Sequence, residues 1–314
     1  MKNLKIILPI LLAALVVLYL LISNKSSSVE RAKPIVGVTT FALYDIVKHI
    51  AGDSVEIVNI IPFGVDPHSF EPTPKIMAKI EKSDVVFYSG AGLEPWIGGF
   101  DFKNRAVDIS KHVLLRHLDR DELEHHQHHT DHDEESADST VDPHYWLDFA
   151  NMQRATNVIT KELIKINPKY TKQYIMAKES YISMLKKLDA LYRERLSSCK
   201  ADTIVVSHNA AGYIAHNYGF EVESLTGLSP ESEPSAKDIE RIFSQIKKDG
   251  VTTIFYENFS NEKVVQSIAK DAGIHLDVFQ PLGNITKDEA EAGLTYEDIM
   301  KRNLEKLSKA LMCN

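Results

Sequence analysis

From Lys169 to Ala211 the chain runs 43 residues without a glycine or a proline, and this stretch constrains the fold more than any other feature. Pro168 stands where a helix can start, and Tyr174, Tyr181, Leu185, Leu188 and Tyr192 recur on one helical face. About thirty residues of helix reach roughly 45 Å. A flexible linker would instead be rich in Gly, Ser or Pro. Residues 168–200 are therefore read as a rigid interdomain spine helix, in preference to an ordinary core helix within one domain.

The segments on either side carry the same pattern. Pro34 to Thr40 reads as a buried strand, Phe41 to about Ala51 as an amphipathic helix stopped by Gly52, and Val55 to Ile61 as a second strand. A helix over Lys75 to Lys82 and a strand over Asp84 to Ser89 follow. The alternation restarts at Thr203, with strands at 203–206, 222–225, 251–256 and 275–279 and helices at 210–218, 236–249 and 261–271. Strands alternating with helices indicate parallel sheets. The expected fold is α/β: two similar α/β lobes with parallel sheets, over 34–167 and 201–314, joined by one long rigid helix.

Ahead of the first lobe, residues 1–33 divide into an apolar run and a polar linker. Ile6 to Ile22 is apolar over 17 residues and follows Lys2 and Lys5; Ser23 to Lys33 is polar. Such a run is marginally long enough for a bilayer core and also describes a signal peptide. It does not end in small residues, which favours an uncleaved membrane anchor over a cleaved signal, and no cysteine follows it to carry a lipid. Either way the folded part is expected outside the cytoplasm, at the outer face of the membrane or exported. Two cysteines, Cys199 and Cys313, are too far apart for a zinc ribbon or a C-x-x-C motif. In an oxidising compartment they are candidates for a disulfide, although Cys313 is penultimate, where chain ends fray.

The net charge of −8 is local. Residues 117–139 hold nine acids and one base, and the other 291 residues balance at 35 to 35. No basic stripe of the kind nucleic acid requires exists. The acidic segment also contains His125, His126, His128, His129 and His132. Its polarity predicts a disordered loop, and its clustered imidazoles are candidate auxiliary weak zinc sites.

Three further histidines occupy comparable places. His68 lies in Gly64-Val-Asp-Pro-His-Ser-Phe-Glu-Pro-Thr-Pro74, His144 in Asp142-Pro-His-Tyr-Trp-Leu-Asp148, and His208 directly after the strand at 203–206. Open α/β sheets bind ligands beyond the carboxyl ends of their strands, where two of these imidazoles fall. Proline sets the backbone ahead of His68 and of His144, and Asp66, Asp142 or Asp148 can accept a second ring N–H. Three neutral imidazoles suit Zn²⁺; a site richer in carboxylates would suit Mn²⁺.

The segments GVDPHSFEPTP, DPHYWLD, SHNAAGY and GLSPESEPSAKDI, in that order, resemble those of the zinc-binding solute-binding proteins of ABC importers, the ZnuA type. The resemblance extends from about Pro34 to the C-terminus. It implies two α/β lobes joined by a long helix with the metal in the cleft between them, His68, His144 and His208 as its ligands, and permease subunits of the importer as partners. The fourth ligand departs from the family pattern. Where relatives place Asp before a Pro-Leu-Gly-like turn, or Glu at the position of Gly283, this chain has Gln280-Pro-Leu-Gly283. Gln280, Glu257 and water remain candidates.

The reading is an extracytoplasmic protein that captures Zn²⁺ in the interlobe cleft and passes it to an ABC importer, with no catalytic role. The alternatives are a manganese or iron component of a related importer, and a secreted zinc hydrolase with Glu71 as base. The second alternative lacks an H-E-x-x-H motif.

Overall fold

The computed structural model describes residues 33–99, 102, 105–118, 141–230, 234–258 and 262–314. The first lobe begins with β1 (Ile35–Val38), α1 (Phe41–Ala51), β2 (Glu56–Asn59), α2 (Pro74–Lys82), β3 (Val85–Tyr88) and β4 (Arg105–Asp108). All four strands are parallel, in the order β2-β1-β3-β4. The second lobe contains β7 (Thr203–His208), α5 (Gly212–Tyr218), β8 (Glu221–Thr226), α6 (Ala236–Asp249), β9 (Thr253–Tyr256), α7 (Glu262–Ala272) and β10 (His275–Val278). Its sheet is also parallel, in the order β8-β7-β9-β10. In each lobe the first strand lies inside, the second flanks it, and the third and fourth extend the other side. This shared connectivity is the similarity that the sequence pattern suggested.

Between the lobes come the two-residue strands β5 (Arg116–His117) and β6 (Val141–Asp142), then α3 (Phe149–Ile166) and α4 (Thr171–Arg195). The chain closes with α8 (Lys287–Glu291) and α9 (Tyr296–Ala310). The strands are short and largely apolar, as sheets covered on both faces require; all six residues of β7 are buried. Helix starts follow the capping rules. Thr73 caps α2 ahead of Pro74, and Ser235/Asp238 and Thr295/Asp298 form reciprocal capping boxes at α6 and α9.

The spine is helix α4, 25 residues and roughly 37 Å long. It is shorter than the expected 168–200 at both ends. Pro168–Tyr170 forms a separate 3₁₀ turn, and the helix ends at Leu196, after which the chain turns and Cys199 pairs with Cys313. Its tyrosines anchor it to both lobes. The hydroxyls of Tyr174 and Ser54 lie 2.6 Å apart, Tyr181 donates to Asp45 at 2.6 Å, and Tyr192 donates to the Met300 carbonyl at 2.7 Å. One apolar cluster continues from β1 and α1 through α3 and α4 to α5 and α9. Separate clusters fill the outer face of each sheet, with α2 on the first and α6 and α7 on the second. Residues 34–314 therefore form one unit.

Besides the spine's ends, the structure differs from the sequence reading in three places that bear on the site or the chain's ends. Strand β4 was not expected: only Val107 of its four residues is buried, so this edge strand has no apolar signature. His117 and Leu118 belong to the folded part, His117 paired with Val141 and Leu118 only 8% exposed, whereas the acidic loop was expected to begin at 117. The rest of that segment, with His125, His126, His128, His129 and His132, lies outside the described residues, as does the expected anchor or signal over 1–33, all but Lys33. Third, the chain end does not fray. Cys199 and Cys313 form a disulfide across 114 residues, and Ala201 donates to the Leu311 carbonyl beside it. Among the described residues no helix is long and apolar enough to cross a membrane.

Candidate metal centre

The two Asp-Pro-His tripeptides fold alike. Asp66 Oδ1 accepts the His68 backbone N–H at 2.9 Å, and Asp142 Oδ1 accepts that of His144 at 3.0 Å. Each is an aspartate turn with proline at its centre, where no N–H is needed and φ is preset. The turns deliver His68 beyond the end of β2 and His144 just after β6. His208 is the last residue of β7, held in the ladder opposite Thr226.

These elements bring the three imidazoles together. One nitrogen from each of His68, His144 and His208 lies within 4.8 Å of the others. The ring centroids form a near-equilateral triangle with sides of 5.3, 5.4 and 5.9 Å. The Nε2 atoms of His144 and His208 stand 3.4 Å apart. Two Zn–N bonds of about 2.0–2.1 Å at the tetrahedral angle would separate their nitrogens by roughly 3.3–3.4 Å. His144 and His208 are each 2% exposed, and His68 is partly buried. Burial, reinforced by repulsion from His144 and His208, holds the His68 imidazole well below its ordinary pKa, in the neutral form that can donate a lone pair.

Carboxylates stand behind two of the rings. Asp142 Oδ1 lies 2.8 Å from His144 Nδ1, and a Glu257 carboxylate oxygen abuts His208 Nδ1. Both partners turn Nε2 inward, the arrangement by which a second group orients a metal-bound imidazole. Asp148, also considered as such a partner, instead caps α3 by accepting from Ala150 and Asn151.

The cavity enclosed by these rings has a volume of about 20 Å³, room for one ion or one water. Glu257, Leu93, Trp146, Pro281 and Gly283 are among its remaining walls. Gln280, the other candidate fourth ligand, does not line it. Its amide donates to Glu289 at 2.9 Å and its backbone exchanges hydrogen bonds with Asn303; among the described residues its buried Oε1 meets no hydrogen-bond partner. Glu71, the base considered for a hydrolase, is exposed and also lies outside the lining.

Sequence reasoning missed two structural parts of the site. One is the segment Gln280–Ile285, which crosses from the second lobe to the first. The Trp146 indole donates to the Pro281 carbonyl at 2.6 Å, Phe41 N–H to Gly283 at 3.0 Å and Gly64 N–H to Ile285 at 2.8 Å. The Asn284 amide donates to Pro62 and Val65 at 2.8 and 2.7 Å. This strap holds the loop that carries His68. Within it Leu282 is fully buried at φ +62°, a strained conformation kept by the surrounding bonds. The other missed part is the group around Asp142. Arg116 faces its second carboxylate oxygen, and the Tyr213 hydroxyl, from α5, donates to its backbone carbonyl.

The model of the family described as zinc-uptake complex component A, periplasmic, matches residues 36–310. The high-affinity zinc uptake system protein ZnuA of Bacillus subtilis is 32% identical over 294 residues, 92% of each chain. The zinc-binding lipoprotein AdcA of Streptococcus pneumoniae is 30% identical over 307 residues, 96% of this chain but 60% of its own length. Among solved structures, the Zn(II)-bound ZnuA-like domain of Streptococcus pneumoniae AdcA matches with a TM-score of 0.72 at 27% identity. That match covers 89% of this chain and 99% of the domain.

Proposed function

The chain belongs to the zinc-uptake complex component A family, and from that premise we propose that it captures Zn²⁺ outside the cytoplasm and delivers it to the permease subunits of an ABC importer. His68, His144 and His208 supply three ring nitrogens, and water completes the tetrahedron. Glu257 orients His208 rather than binding the ion. The observation that carries this reading is the convergence of three nitrogens, two of them 3.4 Å apart, around a cavity that admits one ion. A nitrogen donor set suits zinc better than manganese, which favours oxygen. The same small cavity argues against a hydrolase, since no organic substrate fits beside the metal. Residues 1–33 serve as anchor or cleaved signal, and the imidazoles at 125, 126, 128, 129 and 132 gather zinc weakly.

Metal-edge anomalous scattering from crystals of the 33–314 fragment grown with equimolar Zn²⁺ and Mn²⁺ tests the core of the proposal. A single zinc peak within bonding distance of all three imidazoles is expected. A manganese peak there, or zinc bound only elsewhere, would overturn it.

A further inference from the structure

Asp142 holds His144, and the structure shows what holds Asp142. Its carboxylate is fully buried and uses one oxygen, Oδ1, for both the backbone N–H and the ring Nδ1 of His144. The other oxygen, Oδ2, meets no hydrogen-bond donor among the described residues; it faces Arg116 Nη1 at 3.5 Å. Arg116 and Asp142 are cross-strand partners in the β5–β6 pair. A buried carboxylate is costly unless a cation compensates it, so the orientation of Asp142 depends on this guanidinium.

A second tie comes from the other lobe. Arg116 donates its backbone N–H to the Tyr213 hydroxyl at 2.7 Å, and that hydroxyl donates to the Asp142 carbonyl at 3.0 Å. Burial raises the Tyr213 pKa, so the phenol stays protonated and can donate. Tyr213 lies five residues beyond His208, and the two buried imidazoles therefore hang on one polar frame. The frame leaves no room for a side chain at Gly212. A Cβ there would sit 2.7 Å from Arg116 Nη1 and 2.9 Å from Asp142 Oδ2.

We propose that Arg116 is a positioning residue of the metal site, fixing through Asp142 the orientation of His144 and hence the geometry and affinity of bound zinc. The inference rests on the zinc reading above and adds a residue that touches neither metal nor ligand ring.

The test uses the full chain, with Zn²⁺ affinity measured by chelator competition and site geometry read from the visible absorption of bound Co²⁺. Arg116→Gln should weaken zinc by about 10–100-fold, the usual cost of losing an outer-shell partner, and should shift the Co²⁺ bands. Arg116→Lys keeps the charge and should recover most of the affinity. Gly212→Ala, which displaces the same pair without removing it, should reproduce the Arg116→Gln spectrum. Should Arg116→Gln fail to fold, Arg116→Lys and Gly212→Ala carry the comparison. Affinity within twofold of the parent and an unchanged spectrum in the folded variants would overturn the proposal. So would weakening that lysine does not rescue and no spectral change accompanies. His144→Ala in the same assay separates the two levels: if it also binds like the parent, the zinc reading itself fails; if it alone loses zinc, only the role of Arg116 does.

Discussion

Trp146 and Pro281 meet across the lobes, the indole N–H 2.6 Å from the carbonyl oxygen. The residues between them in sequence include the whole spine and the second sheet, yet this bond forms one wall of the metal cavity. It is one of five hydrogen bonds by which the strap 280–285 grips the first lobe. Together with the spine tyrosines it leaves little freedom for wide hinge closure.

Small-angle scattering should therefore show no resolvable compaction when zinc is added to metal-free protein. Trp146→Phe keeps the aromatic wall but leaves the buried Pro281 carbonyl without its donor, and should cost about 1–3 kcal/mol of stability. Urea unfolding of the metal-free variant measures that loss. A clear drop in radius of gyration on loading would show that the strap opens with the lobes.

The spine, the sheets and the three imidazoles were legible because each leaves a pattern in side chains. The face from Tyr174 to Tyr192 repeats at helical spacing, β1, β3 and β9 are apolar runs, and Asp-Pro-His occurs twice. What escaped has no such pattern. The strap acts mainly through the carbonyls of Pro281, Gly283 and Ile285, groups that every residue carries. Arg116 and Asp142 are joined by a two-residue ladder across 26 positions, too short to register as a strand pair. Gln280 was singled out from its place in a family motif, but its side chain is taken up by Glu289 at the start of α8. Both carboxylate partners were within view as residues near the site, but a sequence does not say which atom each faces.

Replacement of any one of His68, His144 or His208 by alanine should weaken zinc binding at least tenfold, since a direct metal–nitrogen bond is lost. Chelator competition on each variant measures this. Among the three, His68→Ala should perturb metal-free stability least, because His144 and His208 are buried against carboxylates that would each lose an imidazole contact. Zinc bound by His208→Ala as tightly as by the parent would remove His208 from the ligand set.

The disulfide ties the last residues to the turn after the spine. Closing a loop of 114 residues lowers the entropy of the unfolded chain by an amount equivalent to about 4–5 kcal/mol in the chain-entropy model. Measured effects of native bridges run about 2–5 kcal/mol. Reducing agent, or Cys199→Ser with Cys313→Ser, should lower the unfolding midpoint accordingly while leaving zinc affinity unchanged, because neither cysteine lines the cavity. Thiol labelling of the denatured, unreduced chain should find no reactive thiol; two per molecule would show that the bridge does not form.

Acid should act on this protein through the site, in two ways that carry the same sign. Zinc binds neutral imidazole, so protons compete with it as pH falls. The folded pKa of His68 is held well below the ordinary value of about 6.5, mainly by burial and then by the two neighbouring rings. Its share of the competition therefore arrives only below that ordinary value. Affinity should fall as pH drops from 7 to 5. The metal-free fold is affected as well. Once unfolded, His68 takes up a proton near pH 6.5, whereas folded it does not until lower pH, so the unfolded chain binds more protons and stability rises with pH. The contribution of His68 is thus present above about pH 6.5 and is lost as pH falls through the folded pKa. Urea unfolding of metal-free parent and His68→Gln at pH 7.5 and 5.5 isolates it: the parent should lose more stability than the variant on acidification. Equal losses would remove His68 from the account, and zinc affinity that stayed constant from pH 7 to 5 would mean that oxygen donors hold the ion.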